Sequence, residues 1–166
     1  MDFHPHEYQS IAIQRIIDNT HYGLLLDMGL GKTISTLIAI DRLMYDYFDI
    51  KKVLLIAPKK VAESTWAQES QKWSATRRLT VAKVLGSEKE RIHALESESD
   101  IYVINRENVQ WLYEYYHKKK SFPFDMLVID ESSSFKNPQA KRFKAIRKLR
   151  PLFKRIVILR SEERRV

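Results

Sequence analysis

Residues Leu24-Leu25-Leu26-Asp27-Met28-Gly29-Leu30-Gly31-Lys32-Thr33 pass from an unbroken apolar run through two glycines to a Lys-Thr pair, after which Ile34, Leu37, Ile38 and Leu43 recur at helical spacing. A chain with features in that order reads as a buried strand, a glycine turn and the opening of a helix. The same grammar suits a triphosphate. Glycines let the backbone turn its N–H groups inward around phosphate oxygens, and a helix starting near Lys32 adds the positive end of its dipole. In this reading Met28, Gly29, Leu30 and Gly31 wrap the phosphates, Lys32 reaches the β- and γ-phosphates of ATP, and Thr33 coordinates Mg²⁺. The strict pattern G-x-x-x-x-G-K-[ST] wants glycine where this chain has Leu26, so a plain strand-to-helix turn stays open as the alternative.

A second stretch narrows the choice. Met126-Leu127-Val128-Ile129-Asp130-Glu131 is a short apolar run ending in two acids, as expected of a buried parallel strand that delivers carboxylates to the sheet's carboxyl edge. Asp130 would hold Mg²⁺ through its water shell, and Glu131 would polarise an attacking water. An Asp-Glu pair alone is more often a solvated loop. Found together with a glycine-lysine turn, it points to one nucleotide pocket.

Asp27-Met28-Gly29-Leu30-Gly31-Lys32-Thr33 and Asp130-Glu131-Ser132-Ser133-Ser134-Phe135-Lys136-Asn137 resemble motifs I and II of the superfamily-two helicases, and the wording is closest to the Swi/Snf branch. Further likenesses follow in order. Phe3-His4-Pro5-His6-Glu7-Tyr8-Gln9 resembles the adenine-reading Q motif, which implies that Gln9 bonds the purine edge and Tyr8 covers its face; the family more often has Pro-Tyr-Gln without the gap seen here. Val53-Leu54-Leu55-Ile56-Ala57-Pro58-Lys59, followed by Trp66 and Trp73, resembles motif Ia and its helix, and the resemblance assigns contacts with a DNA backbone to Lys59 and Lys60. Asn105-Arg106-Glu107 is a variant of the family's next strand end.

The likeness implies an α/β fold: a single RecA-like P-loop lobe, with a parallel sheet and helices on both faces. It implies a helicase-like or translocase-like ATPase whose partners are nucleic acid, DNA in the first place, and a second RecA-like lobe. Arg155-Ile156-Val157-Ile158-Leu159 leads in relatives into motif III, commonly Thr-Gly-Thr-Pro; here Arg160-Ser161-Glu162-Glu163-Arg164-Arg165-Val166 follows. The expected organisation is therefore an ATP-binding lobe over residues 1–159 and a divergent tail over 160–166, with motif III and the second lobe absent. In the family the second lobe supplies arginines that stabilise the transferring phosphoryl group, worth roughly 10³ to 10⁵ in rate. Slow turnover and no stepping along DNA are expected of this lobe alone. A stand-alone module that binds ATP and nucleic acid without hydrolysis is the alternative.

Length and composition agree with one lobe: 166 residues with 44% hydrophobic content can bury a core of single-domain size. The absence of cysteine excludes a disulfide scaffold and a thiolate metal site, and the five histidines lack ligand spacing. A reducing cytoplasm is the expected setting, with no membrane partner, because no stretch approaches the roughly 20 apolar residues of a spanning helix.

Periodicity predicts strands over Gly23–Asp27, Val53–Ala57, Leu79–Leu85, Ile101–Ile104, Met126–Asp130 and Ile156–Leu159, with helices between them. Asn137-Pro138 reads as the cap of a helix carrying Phe143, Ile146 and Leu149. Ser132, Ser133 and Ser134 read as turn formers. Trp66 and Trp73, seven apart, would share a helical face and read as core packing rather than base stacking. The formal charge of +8 gathers late, at Lys141, Arg142, Lys144, Arg147, Lys148, Arg150, Lys154 and Arg155. A phosphate-attracting face and a solvated basic helix are both open there.

Overall fold

The computed structural model describes residues 1–27, 31–131 and 141–162. Among them the apolar runs form one sheet of six parallel strands: β1 (His21–Asp27), β2 (Val53–Ala57), β3 (Val81–Val84), β4 (Ile101–Asn105), β5 (Met126–Glu131) and β6 (Arg155–Glu162), in the order β1-β6-β5-β2-β4-β3. Side chains alternate across a strand, and here both faces are covered, so β2 and β4 are apolar almost throughout. Leu55, Val103, Val128 and Val157 join α1 (Glu7–Asp18), α2 (Lys32–Asp41) and α3 (Trp66–Lys72) in one cluster. Leu54, Ile56, Ile104 and Leu127 join α4 (Glu88–Glu96), α5 (Val109–Lys119) and α6 (Lys141–Leu149) in the other. The α/β three-layer lobe expected from the sequence is the fold observed.

Parallel strands must be linked by crossovers, and the order they leave is what builds the site. β1 does not touch β5; β6 lies between them, with Leu24 opposite Leu159 on one side and Asp130 opposite Leu159 on the other. Because the strands are parallel, the carboxyl ends of β1, β5 and β2 lie on the same edge of the sheet.

Three local expectations are revised. β6 does not stop at Leu159: Arg160, Ser161 and Glu162 continue the ladder opposite Leu25, Leu26 and Asp27. β3 is shorter than the predicted Leu79–Leu85, because the Leu79 amide closes a turn on the Thr76 carbonyl and the Thr80 amide donates to the Asp100 carboxylate at 2.9 Å. Trp73 does not share a helical face with Trp66. α3 ends at Lys72 and Trp73 is extended (φ −107°, ψ 137°), its ring edge-on to Phe3 at 5.3 Å and its N–H on Glu69.

Two of the late cations are structural. Arg155 donates to the Asp49 carboxylate at 2.6 Å and to the carbonyls of Ile16 and Ile17 at 3.1 and 3.0 Å, tying the end of α1 to the start of β6. Lys154 meets the other oxygen of Asp49 at 2.6 Å.

Candidate functional site

The α2 helix opens at Gly31, whose φ of +78° is the left-handed conformation that glycine adopts without a steric penalty. Lys32 and Thr33, the first residues of α2, are half-buried at the carboxyl edge of the sheet. Lys32 spans β6 and places its Nζ 3.1 Å from Oδ1 of Asp130, a residue 98 positions away that is only 2% exposed. The ammonium and the first acid of the pair are thus in direct contact at the carboxyl edge of the sheet.

Asp130 is held from two further directions. The indole N–H of Trp66, a residue with no exposed surface, donates to Oδ2 at 3.1 Å. Nη2 of the buried Arg106 donates to the Asp130 carbonyl at 3.1 Å. Glu131, the last residue of β5, lies across the ladder from Arg160, whose Nε is 3.1 Å from Oε2 of Glu131. The two acids thus have separate settings: Asp130 is buried between Lys32 and Trp66, and Glu131 is paired with Arg160.

Gln9 comes to the same place from α1. It is buried, its Oε1 accepts the His6 amide at 2.9 Å, and its Nε2 lies where a Cβ on Gly31 would be, 2.3 Å from that position. Tyr8 is 38% exposed and stacks on His6 with ring centroids 5.5 Å apart. Lys59 and Lys60 are exposed just past β2, next to β5 in the sheet. Lys59 lines a concavity of about 550 Å³ with Glu63, Lys83, Gly86, Asn105 and Asn108. Met28, Gly29 and Leu30 lie outside the described residues, as do Ser132, Ser133, Ser134, Asn137 and Pro138. Of the late basic cluster, Lys144, Arg147, Lys148 and Arg150 are exposed, while Lys154 and Arg155 serve Asp49.

Trp66, Arg106 and Arg160 are the site's unforeseen members. Only Arg106 left a trace in the sequence, as an arginine directly after the mainly apolar strand Ile101–Asn105, all of whose residues are buried; a buried guanidinium there needs a partner. Among the described residues no helix is long and apolar enough to cross a membrane.

Residues 8–158 match the model of the SNF2-related domain. Protein p41 of the Acyrthosiphon pisum secondary endosymbiont phage 1 is 35% identical over 136 residues, covering 81% of this chain and 29% of that protein. Nuclear protein STH1/NPS1 of Saccharomyces cerevisiae is 33% identical over 143 residues, covering 81% of this chain and 10% of that protein. The chain therefore spans less than a third of the length of these curated relatives. Among solved structures, the Sulfolobus solfataricus SWI2/SNF2 ATPase core in complex with dsDNA superposes with a TM-score of 0.73 at 22% identity, over 98% of this chain and 33% of that one. The UvsW helicase from bacteriophage T4 superposes with a TM-score of 0.69 at 16% identity, over 96% of this chain and 53% of that one. The two structural likenesses establish the fold.

Proposed function

Since the chain belongs to the SNF2-related domain family, a helicase-like ATPase family of the Swi/Snf branch, we propose that it is the ATP-binding lobe of a DNA-dependent translocase. The single observation that carries the reading is the meeting of Lys32 and Asp130 across β6, at the head of α2 and the end of β5. An ammonium has three N–H donors and can trade its contact with Asp130 for the terminal phosphate oxygens. Gln9, packed against Gly31, reads the adenine edge, and Tyr8 flanks it.

The family implies magnesium, and the donor set fits. The Thr33 hydroxyl and the Asp130 carboxylate are hard oxygens, as that ion demands. Held there by Thr33 and Asp130, magnesium would supply positive charge to offset that of the phosphates. Glu131 orients the attacking water and takes its proton on Oε1, while Arg160 holds Oε2.

DNA is the partner we assign, with its backbone on Lys59 and Lys60, and a second RecA-like lobe is the other. Tested as this 166-residue chain, turnover is slow, because the arginines that stabilise the transition state come from that second lobe. A cytoplasmic setting fits the cysteine-free composition.

The test is a Mg-ATP titration by calorimetry, paired with an ATPase assay with and without duplex DNA. Saturable binding with weak turnover supports the reading. No binding overturns it, and fast unassisted hydrolysis overturns the dependence on a second lobe.

A further inference from the structure

Trp66 packs in the core, yet its one polar atom bonds the most deeply buried acid of the site. The ring is fully buried beneath the sheet, and Nε1 lies 3.1 Å from Oδ2 of Asp130. Lys32 occupies the other oxygen, Oδ1, at 3.1 Å. These two contacts differ in kind. The lysine is a flexible, half-buried cation that phosphates can draw away, whereas the indole is clamped by the core and cannot follow. A carboxylate with one oxygen pinned by a rigid donor has one orientation left for the other.

We propose that Trp66 is a positioning residue for the metal-holding carboxylate: its indole N–H fixes the rotation of Asp130, so that Oδ1 faces the magnesium water shell when Lys32 turns to the nucleotide. Arg106 supports the same residue from the main chain, donating to its carbonyl. Partners of this outer kind tune a metal site without touching the metal, and their loss typically costs about 10- to 100-fold in metal affinity. The inference rests on the ATP-pocket reading above.

The experiment separates the donor from the bulk. Trp66→Phe removes the N–H and some volume; replacing the indole with its benzothiophene isostere removes the N–H and keeps the ring. Each folded variant and the wild-type chain are titrated with ADP in EDTA and in excess Mg²⁺. The expected result is an affinity in EDTA within about twofold of wild type, and a magnesium-dependent gain reduced at least about tenfold in both variants. A merely structural tryptophan would lower thermal stability and leave the magnesium-dependent gain unchanged, and that outcome in the isostere overturns the proposal. Failure of the wild-type chain to bind ADP at all would instead overturn the pocket reading on which the proposal stands.

Discussion

Arg160 and Glu131 face each other across the β5–β6 ladder with Nε 3.1 Å from Oε2, so that among the described residues the second acid of the pair is held at one oxygen. Glu131 is mostly covered, whereas Arg160 is 63% exposed, so solvent screens the pair. Arg160→Gln is therefore expected to change stability by under about 1 kcal/mol. Glu131→Gln is expected to leave Mg-ATP affinity within about threefold of wild type, because the group acts on water rather than on nucleotide, and to remove the residual turnover. A large loss of affinity in calorimetry would show that Glu131 supports the metal instead.

Lys32→Ala removes the cation that the phosphates are expected to meet. Charge-assisted hydrogen bonds of this type contribute about 1.5 to 3 kcal/mol each, so Kd for ATP is expected to rise about 100-fold or more. Unchanged affinity in the same titration would refute the assignment.

Gly31→Ala tests how α1 and the phosphate turn are coupled. The new Cβ would sit 2.3 Å from Gln9 Nε2 and 3.3 Å from Ile34 Cγ2, on a backbone at φ +78° that disfavours any side chain. The left-handed conformation alone costs about 1 to 2 kcal/mol for an L-residue. Urea denaturation is expected to show at least that loss, and displacement of Gln9 is expected to narrow the preference for ATP over GTP. A variant with wild-type stability and full selectivity would mean that Gln9 does not read the base.

Asp49 ties two cations at the foot of the sheet, and the hydrogen bonds from Lys154 and Arg155 lower its pKa from the ordinary carboxylate value. Because the carboxyl titrates lower in the folded chain than in the unfolded one, it stabilises the fold above the ordinary carboxylate range, and that contribution is lost as pH falls through the depressed value. Asp49→Asn is expected to cost about 1 to 2 kcal/mol near neutral pH, discounted for partial exposure, and progressively less below about pH 4. Denaturant midpoints against pH would show the two curves converging in acid; parallel curves would assign the effect to packing.

Lys59 and Lys60 stand exposed past β2 on the carboxyl edge. If both neutralise DNA phosphates, the double alanine variant is expected to flatten the slope of log affinity against log salt by up to about two. An unchanged slope would move the interface elsewhere, with the exposed Lys144, Arg147 and Arg150 as the next cations to replace.

The fold was legible because its signals are local. Val53–Ala57 and Ile101–Asn105 are nearly continuous apolar runs, which only a strand covered on both faces requires, and the observed bounds of β2 match the predicted ones. The misjudged edges were set by side chains rather than by periodicity: Asp100 takes the Thr80 amide and shortens β3, and the ladder with β1 carries β6 past Leu159.

Sequence alone determined which segments are strands, which turn carries the lysine and which strand ends in two acids, since period, glycine and charge are all written within a few residues. That Lys32 and Asp130 converge is expected from the two motifs together; tertiary structure decided their direct contact, that Trp66 donates its N–H to that acid, and that Arg160 faces Glu131. Each of these contacts depends on strand order and register across the sheet, which crossover connections set by packing both faces at once, and no local pattern encodes which strands become neighbours.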